Sequence, residues 1–327
     1  MQVFTGRQYL MIDIANSFGL DKSTWMERIL WTQYNLDVLE DKVEDAEDKF
    51  LYVKAVKALR DTDQGIATGH MMLLDATASG LQIMAALSGC KKTARHVNLI
   101  STGSREDVYT HVTNEMNTDL PADEQVTRDD VKKPLMTHYY NKTKQDTLSE
   151  AQQGAFYKDL HESFSGAEDV KYLINNAWNP TAMKHEWTLP DGHVASCKVM
   201  KTIAARVEVD ELAHTTFTYQ FEANCPDSLN TSLAPNIIHS IDGYIAREMT
   251  RRAKDQGFEC VHIHDAFGFH PNYGNQVREN YREILAEIAD SDLLQDILSE
   301  LYGYVQRITK DSYDLHKDIL ESEYALS

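Results

Sequence analysis

The chain is poor in several residue types, and each shortage excludes a class of protein. Its 327 residues include four cysteines, widely spaced and without a Cys-x-x-Cys pair, which argues against a zinc site and for a reducing compartment. Seven prolines and 15 glycines are too few for a linker-dominated or low-complexity protein. Apolar runs stay well short of the ~18 residues of a membrane-spanning helix, so no membrane partner is expected.

Basic residues are scarce as well. Lys and Arg number 32 against 51 Asp and Glu, for a net charge of −19, and this is unfavourable for binding nucleic acid because neutralising phosphates requires cations. Acidic residues concentrate between positions 37 and 48, as is typical of a solvated helical face. Residues 128–144 have the opposite charge, with Arg128, Lys132, Lys133, Lys142 and Lys144.

The apolar pattern predicts a largely helical chain with a few short strands. Apolar residues recur at helical spacing over about 8–60, 79–88, 104–117, 127–160, 235–255 and from about 275 onward. Residues 71–74 resemble a strand, residues 193–222 an extended hairpin, and residues 260–269 a hairpin with its tip near Asp265. Because strands and helices do not alternate regularly, the expected fold class is α+β.

Asp75 is the first candidate for chemistry. It follows the apolar run at 71–74 and precedes the small residues 76–80. A carboxylate at a strand end can hold a hard cation, and the backbone carbonyl of Ala76 is a possible second oxygen ligand. A helix N-cap is the competing interpretation of the same residues.

Asp265 is the second candidate, between His264 and Gly268 in the predicted hairpin. A tight strand–turn–strand presents one carboxylate toward a facing strand. Asp is also a common turn residue, so this position alone does not decide between a site and a turn.

The basic stretch supplies the third candidate. Arg128, Lys132, Met136 and Tyr140 recur every four residues and share one slowly drifting helical face. Two cations suit a triphosphate, while the flat apolar side chain and the aromatic ring suit a base and sugar. An amphipathic helix with a charged end is the alternative. Pro134 requires either a kink or a helix that begins near it.

Together, two carboxylates far apart in sequence with a basic helix between them are what two-metal phosphoryl transfer requires. The chain also resembles the single-subunit RNA polymerases of bacteriophages and mitochondria. The similar segments, in chain order, are Asp75-Ala-Thr-Ala-Ser-Gly80-Leu-Gln82, Arg128-x₃-Lys132-Lys-Pro-Leu-Met-Thr137-x-x-Tyr140, Ala234-Pro235-Asn236-Ile-Ile-His239-Ser240-Ile-Asp242-Gly243, His264-Asp265-Ala-Phe267-Gly268 and the C-terminal Asp318–Ser327. Ala76 and Asn141 stand where the family usually has Gly.

The resemblance implies roles for these residues. Asp75 and Asp265 would bind two Mg²⁺ ions, and Arg128 and Lys132 would hold the triphosphate. Tyr140 and His239 would contact the sugar and discriminate ribose from deoxyribose. The expected activity is DNA-dependent RNA synthesis from NTPs on a DNA template, with nascent RNA as the other partner.

The resemblance also implies a division of the chain. Residues 1–91 would form the first part of a palm, residues 92–239 the fingers, and residues 240–327 the second part of the palm and a C-terminal foot. The hairpin at about 193–222 lies where phage relatives carry a promoter-reading loop, and Lys198, Lys201 and Arg206 are its candidate DNA contacts.

Members of the family are usually much longer. The thumb, the N-terminal domain and an early palm segment have no match here, so the chain is expected to be the catalytic subunit of a split, heterodimeric phage RNA polymerase. A second subunit would carry the missing parts, an accessory protein that melts promoters or binds single-stranded DNA is a further possible partner, and the expected location is the cytoplasm of the infected bacterial host.

Two alternatives remain open on the sequence alone. A family A-like DNA polymerase usually places a Glu after the first Asp as a gate against the ribose hydroxyl, whereas this chain has Gly80 there and no acid from Ala76 to Ala86. A polymerase-derived regulatory or scaffold subunit would have no need to keep both Asp residues together with the basic helix.

Overall fold

The computed structural model describes residues 1–142, 145–224 and 231–327; Lys144 and Cys225 lie outside these ranges. The α-helices are α1 (Gly6–Ala15), α2 (Trp25–Tyr34), α3 (Lys49–Asp63), α4 (Ser79–Ser88), α5 (Lys91–His96), α6 (Val108–Asp119), α7 (Arg128–Tyr139), α8 (Glu150–Ser163), α9 (Ser165–Asn176), α10 (Leu233–Asp255), α11 (Gly274–Asp290), α12 (Leu293–Tyr302) and α13 (Leu315–Leu320). The strands are β1 (Met72–Asp75), β2 (Lys184–Thr188), β3 (Val194–Lys198), β4 (Met200–Val209), β5 (Thr215–Asn224), β6 (Cys260–Ile263) and β7 (Ala266–Phe269).

Several helices begin at a local signal that the sequence carries. At Thr5, Thr24, Thr127 and Ser149 the hydroxyl accepts a hydrogen bond from the backbone N–H three residues later, and the side chain at that position bonds back to the cap. This reciprocal capping satisfies two backbone donors that a helix start leaves unpaired.

A three-stranded antiparallel sheet lies at the centre, in the order β1–β7–β6. Met72 pairs with Phe269 and Asp75 with Ala266, while Ile263 also pairs with Ala266 across the β6–β7 hairpin. Helices α1, α10 and α11 pack against the sheet and α4 packs on α10 and α11, and their buried apolar residues form one continuous core with those of the sheet. The ends of β1 and β6 therefore lie at one edge of a well-packed scaffold.

Two consecutive hairpins occupy residues 184–224. The first joins β2 to β3 through the predicted turn at 190–192, where Gly192 has a φ of 79°. The second joins β4 to β5, each ten residues long, in an antiparallel pair that runs from Met200 opposite Asn224 to Val209 opposite Thr215. No described residue of β4 or β5 is buried.

The predicted α+β class is confirmed, with some differences in boundaries. Residues 127–160, expected to be helical, contain two helices, since α7 ends at Tyr139 and α8 begins at Glu150. The predicted boundary between residues 239 and 240 falls within α10, a continuous helix, so the division into palm and fingers stays a prediction. Among the described residues, none of the helices has the length and apolar character needed to cross a membrane.

Candidate active site

The central sheet brings Asp75 and Asp265 together. Asp75 is the last residue of β1, and Asp265 lies in the two-residue loop between β6 and β7. The backbone N–H of Ala76 donates to the Asp265 carbonyl at 3.2 Å. A two-residue hairpin loop needs positive φ, which His264 supplies at 56°. Both carboxylates thus sit at the same edge of the sheet, as the sequence predicted.

A third carboxylate joins them from α10. Burial, followed by the charge of Asp265, raises the pKa of Asp75 to about 6. Burial and the same neighbour raise the pKa of Asp242 to about 6, with Asp75 contributing as well. Asp75 retains solvent exposure at the end of β1. Such like-charge crowding is relieved when a hard cation binds between the oxygens.

Two cations face this acidic cluster from other elements. Lys22 and Arg105 both act to lower the pKa of Asp75, although burial outweighs them. Burial lowers the pKa of the Arg105 guanidinium itself. Arg105 Nε donates to the Ser327 hydroxyl at 2.9 Å. Positive charge is therefore present beside the carboxylates but does not neutralise them.

The last residues of the chain pack against β1. The Ser327 N–H donates to the Asp75 carbonyl at 2.9 Å. Gln82 donates to the Ala325 carbonyl at 2.9 Å and accepts from the Tyr281 hydroxyl at 2.7 Å. The Ala76 carbonyl accepts from the Ala78 N–H at 3.0 Å, which leaves one lone pair for a cation. These bonds hold the backbone around Asp75 in one geometry.

Helix α7 carries the basic stripe. It begins at Arg128 behind the Thr127 cap and continues through Pro134, so the helix does not start near the proline. Tyr140 immediately follows the helix, and Asn141 then takes a left-handed φ of 62°. Asn tolerates this conformation better than most residues with a Cβ, which explains how it replaces the usual glycine.

A cleft of about 890 Å³ lies between α7, α10 and the sheet edge. Of the predicted residues, it brings together Met136, Tyr140, His239 and Asp265. The ring centroids of Tyr140 and His239 are 5.2 Å apart. Burial, with a contribution from His264, lowers the pKa of His239.

Gly80 lines the same cleft. A Cβ added at Gly80 would meet its nearest neighbour, Ile238 Cγ2, only at 3.7 Å. A side chain at this position would therefore fit without a clash, and the interpretation of Gly80 as room for a ribose 2′-hydroxyl stays a prediction.

Arg128 and Lys132 lie outside the residues that line this cleft. Arg128 makes a two-pronged ion pair with Asp107, with Nε–Oδ2 and Nη2–Oδ1 distances of 2.7 and 3.2 Å. Its guanidinium lies 5.2 Å from the centroid of Tyr109. Lys132 is exposed on the next turn. Asp107 therefore occupies the Nε–Nη2 side of the Arg128 fork.

Sequence reasoning missed several of these residues. Asp242 was detectable, since it stands three residues after His239 and such residues share a helix face. Lys22, Arg105 and Asp107 carried no comparable signal, because each reaches the site only through contacts distant in sequence.

Two other features of the second hairpin bear on metals and DNA. Within the described part of the chain, Glu208, Asp210 and His214 offer ligand atoms within 4.8 Å of one another, but all three are exposed at the hairpin tip. Lys201 and Arg206 project from opposite faces of β4, since they are five residues apart, and Lys198 belongs to the other hairpin. The three predicted DNA contacts do not form one basic face.

Comparison with known proteins agrees with this arrangement. The family described as DNA-dependent RNA polymerase matches residues 4–179 and 186–325. The chain belongs to this family. The match includes both strand-end carboxylates, the basic helix and α10, so the resemblance inferred from separate motifs is confirmed over nearly the whole chain.

Individual relatives are distant plant proteins. The chain is 23% identical, in an alignment 386 positions long including gaps, to the mitochondrial DNA-directed RNA polymerase 1B of Nicotiana tabacum, covering 98% of this chain and 38% of the relative. It is 25% identical to the mitochondrial DNA-directed RNA polymerase 1 of Arabidopsis thaliana over 98% of this chain and 39% of the relative. It is 22% identical to the chloroplastic DNA-directed RNA polymerase 3 of Nicotiana sylvestris, with coverage of 98% and 39%. The chain thus spans less than two fifths of the length of these relatives.

The names of these relatives correct one expectation. They are mitochondrial or chloroplastic plant polymerases. The cytoplasm of an infected bacterial host, expected from the resemblance to phage enzymes, is therefore wrong as the predicted location.

Proposed function

We propose that this chain carries the nucleotidyl-transfer site of a DNA-dependent RNA polymerase, which extends an RNA 3′-hydroxyl with NTPs on a DNA template and releases pyrophosphate. The observation that carries the proposal is the convergence of Asp75, Asp242 and Asp265, the last two of which line a cleft together with Tyr140 and His239. A viral role has no support in the organellar relatives and is not part of the proposal.

The carboxylates fit a pair of Mg²⁺ ions. Mg²⁺ prefers oxygen ligands and binds through one or two carboxylates together with substrate phosphates. Asp75 and Asp265 are the proposed ligands, with the free lone pair of the Ala76 carbonyl as a third oxygen. When bound, the ions activate the attacking hydroxyl and neutralise charge on the leaving group.

The residues around the cleft position the nucleotide. Met136 and Tyr140 provide the surface for the base and sugar, and His239 supports the Tyr140 ring from the opposite wall. Arg128 and Lys132 hold the triphosphate once Arg128 leaves Asp107, because a guanidinium fork binds phosphate as well as carboxylate. Asp107 keeps that fork oriented until then.

Processive synthesis requires polypeptide beyond these 327 residues. The matched region is 38–39% of the length of the relatives, and the remaining parts must grip template DNA and nascent RNA. The split-enzyme prediction places these remaining parts on a second subunit, and the alternative is that they belong to a longer chain. In both cases we expect activity only from the completed polymerase. An accessory promoter-melting or single-stranded-DNA-binding protein stays a prediction.

The test is extension of an RNA primer on a DNA template by the completed polymerase, purified from its native source. Asp75→Asn or Asp265→Asn should reduce synthesis at least ~100-fold, since each removes a charged ligand from an ion that stabilises the transition state. Asp296→Asn, which changes an exposed residue of α12, is the matched control and should leave the rate unchanged.

The nucleotide used in the assay separates the competing functions. Preference for deoxynucleotides in the wild type would indicate a DNA polymerase. No metal-dependent extension at all, in a preparation that still binds primed template, would indicate a scaffold subunit. Near-normal extension by either Asn variant would mean that other carboxylates hold the ions.

A further inference from the structure

The β4–β5 hairpin has two faces of opposite chemistry. Directly opposed residues point to the same side of an antiparallel pair, and successive residues alternate sides. One face carries three large apolar cross-strand combinations: Ile203 with Phe221, Ala205 with Tyr219, and Val207 with Phe217. The other face is polar, with Thr202 opposite Glu222, Ala204 opposite Gln220, Arg206 opposite Thr218 and Glu208 opposite Thr216.

The described parts of the chain leave the apolar face uncovered. Solvent reaches 46%, 50% and 41% of the surface of Phe217, Tyr219 and Phe221, respectively. The rings of Tyr219 and Phe221 stack with centroids 5.7 Å apart. Among the described residues, no other helix or strand packs extensively against β4 or β5. An isolated two-stranded hairpin is at best marginally stable in water, so this face has the composition of a protein core but lacks its second layer.

The charges around this face disfavour nucleic acid as the occupant. Residues 200–224 contain two basic and four acidic residues. Aromatic side chains do stack on bases, but single-strand binders combine them with a cationic groove that follows the backbone. Lys201 is the one described Lys or Arg on the apolar face, and it lies at the end far from the hairpin tip.

Size and charge also disfavour a second copy of this chain. Ten-residue strands give a face of roughly 33 Å by about 10 Å, so roughly 300 Å², against about 800 Å² per partner in a stable complex. Two copies would each bring a net charge of −19 to this small contact. The occupant must therefore be held to this chain by further contacts elsewhere.

We propose that the apolar face of the β4–β5 hairpin docks the polypeptide that completes the polymerase, through an apolar surface rimmed by basic residues. Basic residues on that rim would complement Asp210 and Glu211, which lie at the hairpin tip beside this face. This inference rests on the proposed function, because it takes the occupant to be the part of the polymerase absent from these 327 residues. The hairpin then acts in assembly of the polymerase.

Photo-crosslinking tests the proposal without disturbing the hairpin. A photoreactive phenylalanine analogue replaces Tyr219 on the apolar face or Thr218 on the polar face of the completed polymerase, and mass spectrometry identifies the joined peptides. Peptides from the completing polypeptide should join position 219 and not position 218. Crosslinks from 219 to template DNA, or to a second copy of this chain, would overturn the proposal, as would equal yields from both positions.

A binding measurement supplies the second readout. Phe217→Thr with Tyr219→Thr keeps strand propensity but removes the aromatic surface, and should weaken association with the completing polypeptide at least ~tenfold. Thr216→Ser with Thr218→Ser is the matched control on the opposite face and should have no effect. Unchanged association in the aromatic variant would refute docking, whereas a loss confined to DNA binding would assign the hairpin to the promoter. Crosslinking and association can both be measured without catalysis. If the completed polymerase were inactive, that result would contradict the proposed function but would leave the docking proposal standing.

Discussion

Asp75 and Asp242 are held at the site at some expense to the stability of the fold. Their pKa values are raised to about 6 because protein surrounds them and because Asp265 repels their charged forms. A carboxyl group whose pKa is higher in the folded state than in the unfolded state binds more protons when folded. Stability therefore falls as pH rises through the interval between the two pKa values.

The loss of stability with rising pH leads to a prediction for Asp75→Asn. In EDTA at about pH 8, the variant should unfold at a higher temperature than the wild type, because the amide removes the buried charge. The difference should shrink as the pH falls from about 6 through 3.8, because the wild-type carboxyl is protonated first in the folded state and then in the unfolded state. Added Mg²⁺ should raise the wild-type melting temperature more at pH 8 than at pH 5, and the variant less. If the melting temperatures of the wild type and the variant changed equally with pH across this range, the raised pKa of Asp75 would be contradicted.

Tyr140 provides the second residue-scale prediction. Its ring packs near His239, and Tyr140 lines the cleft in which we propose that the nucleotide binds. Tyr140→Phe keeps the ring but loses a hydrogen bond worth about 0.5–1.5 kcal/mol, which is roughly three- to twelve-fold in discrimination. Ribonucleotide incorporation should stay near normal while deoxynucleotides become better substrates.

The measurement is the ratio of kcat/KM for one ribonucleotide and its deoxy counterpart, in the completed polymerase. His262→Phe is the control, since it changes a residue on the sheet side of the same cleft. If the ratio does not move in the Tyr140 variant, sugar selection rests on His239 or on the space beside Gly80.

At the scale of elements, the turn after α7 has asparagine at position 141, where the family usually has glycine, and this residue adds side-chain hydrogen bonds to the turn. Asn141 is buried, and its side-chain amide exchanges hydrogen bonds with Asn175 of α9 at 2.8 and 2.9 Å. It also donates to the Thr231 carbonyl at 3.0 Å. The glycine usual in the family would adopt the same φ but could make none of these side-chain bonds. Here the turn after Tyr140 is tied to α9 and to the start of α10.

Replacements at Asn141 should separate conformation from hydrogen bonding. Asn141→Gly loses only the bonds and should destabilise the fold by about 1–3 kcal/mol. Compared with the Gly variant, Asn141→Ala loses the same bonds but keeps a Cβ at positive φ, so it should lose a further ~1–2 kcal/mol of unfolding free energy. Asn175→Ala is the control, because it breaks the amide pair without touching the turn, and should resemble the Gly variant. Urea unfolding measures all three; equal stability of the Gly and Ala variants would show that φ is not limiting.

At the scale of the whole molecule, one buried arginine joins both ends of the described chain. Arg278 of α11 donates to the Gln2 carbonyl and to the Tyr9 hydroxyl, each at 3.1 Å. Its other terminal nitrogen donates to the carboxylate and the carbonyl of Glu323, again at 3.1 Å. The segment that packs on Asp75 is thereby anchored to α1 through α11.

Arg278→Met should therefore have a large effect on stability. Removing one partner of a buried ion pair leaves Glu323 uncompensated and typically lowers the free energy of unfolding by about 3–5 kcal/mol. Arg251→Met is the matched control, since that arginine pairs with Glu248 while remaining largely exposed, and should lose no more than about 1 kcal/mol. Denaturant unfolding of both variants measures the difference. Similar losses would show that the Arg278 network is not a structural anchor.

Much of the site was readable from the sequence because its signals are local. The strand-end position of Asp75, the hairpin tip at Asp265 and the Thr127 cap of α7 each depend on a few neighbouring residues. Local propensity and alternation specify such features before any long-range contact forms. The α+β class followed from the same patterns.

Tertiary structure alone decided the rest. The convergence of Asp242, Lys22 and Arg105 on Asp75, and the pairing of Arg128 with Asp107, join residues from separate elements. The apolar alternation of β4 and β5 was visible in the sequence, and it predicted a strand pair. Whether another layer covers that face depends on where the whole chain places the hairpin, and no local pattern contains this information.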